Sequence, residues 1–173
     1  MHKDPHGLTV HSDAGTELEV QDFLYAMVCL LRPRLVVETG CFDGRTTLRL
    51  VHAAELVGYT RVLTCDTDPA RVLETCQRLS GNAPVWDVRN CRGIDLPELR
   101  QADFVFCDSD YAARVEEMLA VKPGAIIVVH DTSISYNHEI PPLAGWVEAH
   151  GGIALQTWRG FGILKVPAGG WQS

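Results

Sequence analysis

Leu35-Val36-Val37-Glu38-Thr39-Gly40-Cys41-Phe42-Asp43-Gly44-Arg45-Thr46-Thr47 is an apolar run, an acidic residue, two glycines spaced G-x-x-x-G, and the opening of a helix-like stretch. A run that is apolar on both faces predicts a strand buried under helices, and glycines at its end let the backbone turn sharply and come close to a ligand. The spacing is neither the G-x-G-x-x-G of dinucleotide enzymes nor the G-x-x-x-x-G-K-[ST] of a P-loop. An acid at Glu38 would repel a pyrophosphate and suit a cationic ligand.

Outward from this stretch the pattern repeats. Further apolar runs stand at Val62-Leu63-Thr64-Cys65, Phe104-Val105-Phe106-Cys107 and Ala125-Ile126-Ile127-Val128-Val129. Between them lie helix-like stretches rich in Arg, Glu, Leu and Ala, at Thr46 to Val57, Pro69 to Leu79 and Tyr111 to Val121. Strand–helix alternation predicts right-handed crossovers and a doubly wound, mostly parallel α/β sheet. The end differs: Gly152 to Trp158 and Phe161 to Val166 read as two strands joined by a turn at Arg159-Gly160, an antiparallel hairpin closing the sheet. Arg159-Gly160 is assigned no chemistry. Before the first strand, Thr16-Glu17-Leu18-Glu19 fits a capping box, and apolar residues recur at helical spacing from Leu18 to Leu31 until Pro33. Residues 1–15 lack periodicity and read as an arm; residues 16–173 read as a single domain.

Composition bounds the function. The chain of 173 residues fits one domain, and 15 Lys plus Arg against 22 Asp plus Glu leave a net charge of −7. An acidic balance argues against a surface that coats nucleic acid or anionic lipid. The longest apolar run, Leu24 to Leu31, is far short of the roughly 20 residues of a membrane span, and the polar N-terminus shows no export signal. Six cysteines without a C-x-x-C pair predict reduced core thiols and a cytoplasmic protein.

In an open parallel sheet the ligand lies beyond the carboxyl ends of the strands. The second run ends in Asp66-Thr67-Asp68-Pro69, about 20 to 25 residues after the glycines, where an acid can accept both hydroxyls of a ribose diol. Asp66 is the candidate for that contact. Asp68 followed by Pro69 reads as a helix N-cap and N1.

With these residues in place, the chain resembles the class I S-adenosylmethionine-dependent methyltransferases. E-x-G-x-x-x-G after the first strand, the acid after the second, the Asp-rich strand ends at Asp108-Ser109-Asp110 and His130-Asp131-Thr132, and Lys122-Pro123-Gly124 before the last parallel strand follow that family's order. The likeness is nearest to small O-methyltransferases of the catechol and macrolide or sugar type. It implies a Rossmann-like sheet of strand order 3-2-1-4-5-7-6 and S-adenosylmethionine as cofactor. Glu38, Gly40, Cys41, Phe42 and Gly44 would meet its methionine part and backbone, Asp66 and Thr67 its ribose, and Asp87 and Val88 its adenine, with Asp108 closing the site. A small molecule would accept the methyl group on a hydroxyl. The metal-dependent members add magnesium or another divalent cation, for which Asp108 and Asp131 match two ligands; Thr132 stands where an amide is usual, so the metal stays open.

Methyl transfer is an in-line displacement from a sulfonium, and a phenolic acceptor must lose a proton whose pKa lies about three units above neutrality, roughly 4 kcal/mol. Asp108, His130 and Asp131 are the groups the sequence offers as base or metal ligands. Two other readings remain. One is a non-catalytic module that binds the cofactor; the other is a metal-dependent hydroxylase on the same fold. An enzyme this short also needs a cover, which the arm or the second subunit of a homodimer would supply. No N/D-P-P-Y/F tetrapeptide follows the fourth strand, which argues against methylation of nucleic-acid amino groups.

Overall fold

Val36 and Val37 point to opposite faces of one strand, and both are fully buried. The same alternation recurs in Val62/Leu63, Phe104/Val105 and Ile127/Val128. A sheet apolar on both faces must be covered on both, and in the computed structural model, which describes residues 2–3, 7, 9–10, 15–133 and 143–171, it is.

The N-terminal residues His2–Lys3 (β1) and Thr9–Val10 (β2) pair antiparallel, so part of the expected arm is a small ladder. Helix α1 (Leu18–Leu31) precedes β3 (Leu35–Thr39), α2 (Arg45–Val57), β4 (Arg61–Asp66), α3 (Pro69–Leu79) and β5 (Trp86–Asn90). Two 3-10 turns, Gly93–Asp95 and Pro97–Gln101, lead to β6 (Phe104–Cys107), α4 (Tyr111–Ala120), β7 (Ile126–His130), α5 (Leu143–Ala149), β8 (Ile153–Leu155) and β9 (Phe161–Lys165). The large sheet runs β5-β4-β3-β6-β7-β9-β8, the expected 3-2-1-4-5-7-6, with β9 antiparallel to β7 and β8.

One face packs Val36, Val62, Phe104, Phe106 and Val128 against α1, α2 and Leu79 of α3. The other packs Val37, Leu63, Val105, Ile127 and Val129 against Met118 of α4, Leu143 and Val147 of α5, Leu96 between the 3-10 turns and Leu99 of the second. At the amino edge, Asp103 accepts from the backbone N–H groups of Arg34 and Leu35 and from Lys122 Nζ at 2.9, 3.1 and 2.5 Å. The Lys122-Pro123-Gly124 turn is thereby tied to the start of the central strand. Among the described residues no helix is long and apolar enough to cross a membrane, and all six cysteines are free.

Two local expectations change. Helix α1 begins after Glu17 without a side-chain cap among the described residues. The capping box fails because Thr16 Oγ1 instead donates to Asp108 Oδ2 at 3.0 Å. Leu30 and Leu31, which fit the apolar period, are exposed, while Gln21 is buried and donates to Thr16 O at 2.8 Å. The terminal strands are joined by a longer stretch than Arg159-Gly160, because β8 ends at Leu155.

The sheet's carboxyl edge is shaped by Gly40. Its φ is 85°, and a Cβ there would lie 2.4 Å from Asp108 O and 2.8 Å from Ser109 Cα. Its N–H and that of Cys41 both donate to Cys65 O, at 2.9 and 3.0 Å, so three strand ends converge on this residue. Gly40→Ala is expected to lower the unfolding free energy by at least about 2 kcal/mol, from the left-handed backbone and the overlap together, read as a shift of the urea midpoint. A midpoint equal to that of the wild type would show that the loop yields.

Candidate functional site

A cavity of about 410 Å³ opens at the carboxyl ends of β3, β4, β5 and β6. Its size suits a nucleoside-sized ligand, and its place beside the central strands is the switch point of an open α/β sheet. Gly40, Phe42, Asp66, Thr67 and Asp108 line it. Phe42 has φ 46°, and its N–H donates to Asp66 Oδ2 at 3.1 Å; Asp68 N–H donates to Asp66 Oδ1 at 2.9 Å. The Asp66 carboxylate is thus fixed by two backbone donors at the cavity wall, with lone pairs left over for a ligand. Asp68 caps α3 as expected, accepting from Ala70 N–H at 2.8 Å ahead of Pro69.

Other expected residues lie elsewhere. Glu38 is fully buried and outside the cavity lining. Its Oε2 accepts from Thr47 and Thr64 at 2.5 and 2.7 Å, and Oε1 has no partner among the described residues. Burial pushes this carboxyl up to about 7 despite the two hydroxyls. It therefore braces the glycine turn from behind and offers a cationic ligand no open carboxylate. Gly44 adopts φ 75° and leaves room for Thr75, whose Oγ1 would be 2.8 Å from a Cβ; this glycine serves the packing of α2 on α3. Cys41 is buried with its sulfur accepting from Thr75 Oγ1 at 3.3 Å. Asp87 and Val88 also miss the cavity. Asp87 is held by Arg89 at 2.9 Å, which also grips Glu98, and Val88 packs in the core. Strand β5 runs two residues further than Val88, so its end places Cys91, Arg92 and Gly93 at the cavity instead.

The expected catalytic trio sits in a buried charge network. His130 is fully buried and outside the cavity lining. Its Nδ1 lies 3.1 Å from Asp108 Oδ1 and its Nε2 2.7 Å from Glu17 Oε2. Two ring nitrogens that both face carboxylates must both carry protons. Burial opposes the charge, but Asp108, Asp131 and Glu17 outweigh it and raise the imidazole to about 9. His130 is therefore a fixed imidazolium with no lone pair for use as a base. Asp131 takes a left-handed φ of 57° and turns its carboxylate to Arg159, at 2.5 and 2.9 Å, and to Arg114 at 2.9 Å. Against the cost of burial, His130 and the two guanidinium groups hold it well below the usual carboxylate range. Arg114 also reaches Asp108 Oδ1 at 3.2 Å, Ser109 O at 2.7 Å and His130 O at 2.6 Å. Arg114 and Arg159, not Asp131, form the cavity wall here.

Asp108, His130 and Asp131 bring ligand atoms within 4.8 Å of one another, a spacing suited to an ion. The donors do not fit one, because the carboxylates already face guanidinium groups and both imidazole nitrogens are engaged, by Asp108 and Glu17. Thr132, in the third expected ligand position, is buried, and its N–H donates to Gly160 O at 3.2 Å.

Sequence reasoning missed Glu17, Arg114, Arg159 and Glu117. Arg114 is one arginine of a helix-like stretch and Arg159 stands in a turn; only their burial reveals them. Glu117 lies in the cavity wall, its Oε2 accepting from Thr39 and Ser109 at 2.7 and 2.8 Å; burial raises its pKa, and Oε1 has no partner among the described residues. Of the segment 133–142 that follows β7, only Ser133 is among the described residues; it is buried, its N–H donating to Arg159 O at 2.9 Å.

This sheet order with a cleft at the ends of its first strands defines the Rossmann-like methyltransferase fold. The family described as a methyltransferase domain matches residues 37–132, more than half of the chain, and the chain belongs to it. Among solved structures, the O-methyltransferase TomG from Streptomyces achromogenes, involved in tomaymycin synthesis and bound to SAM, is similar at TM-score 0.71 and 19% identity, covering 90% of this chain and 82% of that one. The O-methyltransferase from Bacillus cereus in complex with SAH superposes at TM-score 0.70 and 20% identity, over 88% and 81%. The SAH-bound Podospora anserina methyltransferase PaMTH1 gives 0.71 and 14%, over 94% and 82%. At these identities the likeness establishes the common fold. No curated protein matches the sequence significantly.

Glu38 and His130, with Glu117 raised in the same direction by burial, make stability depend on pH. The folded chain keeps a proton on Glu38 from about pH 4.5 to about 7, and on His130 from about 6.5 to about 9, where the unfolded chain has lost it. The slope of unfolding free energy with pH is then negative across both windows. The urea midpoint is expected to fall from pH 5 to pH 9, with Glu38→Gln flattening the lower half by roughly 3 kcal/mol. A midpoint that rises over this range would contradict both assignments.

Proposed function

We propose that this cavity binds S-adenosylmethionine and that the protein transfers its methyl group to a hydroxyl of a small molecule. The observation that carries the reading is Asp66. It is a carboxylate anchored by the backbone of the glycine turn and of the α3 cap, facing a cavity in a chain of a methyltransferase family. SAM and SAH in the solved structures of similar fold support the cofactor.

When bound, the cofactor supplies an electrophilic methyl on a sulfonium. The chain's own residues bind and orient. Asp66 accepts from the ribose hydroxyls, and Gly40, whose missing side chain lets the backbone after β6 close against the turn, forms part of the cavity wall beside it. The segment Cys91 to Gly93 borders the nucleobase, in place of Asp87 and Val88. Arg71, whose guanidinium lies 4.0 Å from the Phe42 ring centroid, closes the ribose side. Asp108, Ser109 and Arg114 form the wall towards the acceptor. Alignment of donor and acceptor is the main source of rate in a displacement of this kind.

Calorimetry with S-adenosylmethionine and S-adenosylhomocysteine tests the reading. Both are expected to bind the wild type. Asp66→Ala is expected to weaken S-adenosylhomocysteine by about ten- to hundredfold, the loss of charge-assisted hydrogen bonds of about 1.5 to 3 kcal/mol. Undiminished binding by that variant would remove Asp66 from the site, and no heat with either nucleoside would remove the function.

A further inference from the structure

Resting on the proposed methyl transfer, we propose that the Arg114 guanidinium holds the place between Asp108 and Asp131 that a divalent cation would take, so that the site engages its acceptor without a metal ion. Arg114 Nη2 bridges the two carboxylates, at 3.2 Å from Asp108 Oδ1 and 2.9 Å from Asp131 Oδ2. Its other nitrogens are pinned by the carbonyls of Ser109 and His130, so the side chain is fixed at its tip and only 4% exposed. Arg159 completes Asp131 with a two-pronged contact, and its own backbone N–H is held by Glu17 Oε1 at 3.1 Å.

An incoming ion would have to displace a guanidinium from each carboxylate, and it would meet a His130 ring whose two nitrogens are already engaged by Asp108 and Glu17. Guanidinium groups do not deprotonate, so the exchange cannot proceed by losing protons and must move whole buried side chains. The arrangement also bears on the substrate. A divalent ion holds two neighbouring oxygens by chelation, whereas a guanidinium donates hydrogen bonds and has no coordination sites to share. The acceptor selected by such a wall needs one hydroxyl, not a vicinal pair.

Manganese paramagnetic resonance on the full chain, with and without S-adenosylhomocysteine, tests this. The free Mn2+ signal is expected to match that of buffer. Loss of signal saturating at one ion per chain and abolished by Asp131→Asn would overturn the proposal. In the double variant Arg114→Gln/Arg159→Gln, if folded by circular dichroism, the carboxylates freed of both guanidinium groups are expected to take up one ion; a folded double variant that takes none would equally overturn it. If that variant does not fold, the wild-type titration decides. Calorimetry of S-adenosylhomocysteine in EDTA separates the two ideas: binding there together with an Asp131-dependent manganese site leaves the methyltransferase reading standing and removes only this one.

Discussion

Asp131 cannot exist as a buried carboxylate without Arg114 and Arg159, and the carboxyl end of the sheet is organised around that requirement. Three acids (Glu17, Asp108, Asp131) and three cations (Arg114, His130, Arg159) alternate through direct contacts. An isolated charge at such depth costs several kcal/mol, and losing one partner of a buried pair costs about 3 to 5 kcal/mol because the other is left exposed to a low dielectric. The network is therefore held together as a unit. Its members come from the segment before α1, the end of β6, helix α4, the end of β7 and the stretch before β9, so charge balance fixes the relative positions of five parts of the chain.

The cavity next to this network is built by a different constraint, backbone proximity. Gly40 lets β3 turn against the start of the loop after β6, and the Cys65 carbonyl ties the same turn to β4. Glu38 behind it is fastened by hydroxyls from α2 and β4. The glycine turn thus has no freedom to adjust to a ligand. What faces the cavity is preorganised, and its wall carries both signs: Asp66, Asp68, Asp108 and Asp110 with Arg71, Arg92, Arg114 and Arg159. The strand ends are Asp-rich in the sequence, but the arginines that fold back over them give the wall its positive charges.

The fold was legible because buried parallel strands leave runs of Val, Ile, Phe and Cys that nothing else in the chain resembles. Strand order followed from family resemblance, and Asp66 from its place after the second run. The charge network was hidden for a physical reason. Arginine on a helix is usually solvated, and nothing local distinguishes Arg114 from Arg78 on α3; the difference is that α4 follows Asp108 and faces Asp131, a long-range fact. Asp87 stands short of the cavity because strand length cannot be read to the residue, and two residues decide what stands at the strand's end.

The segment just before α1 shows how far this reaches. Sequence patterning placed a boundary between residues 15 and 16, an arm on one side and a domain on the other. Yet Gly15 O accepts from Arg159 Nη1 at 3.0 Å, Thr16 donates to Asp108, and Glu17 grips His130, Thr157 Oγ1 and the Arg159 backbone. Asp108 and Asp131 do most to hold His130 charged, the carboxylate at position 17 adds to them through its hydrogen bond to Nε2, and the charged ring in turn offsets Asp108 at the cavity wall. The electrostatics of the wall therefore depend on a residue that patterning would call the first turn of a helix, and the chain entering α1 is as much a part of the site as the glycine turn.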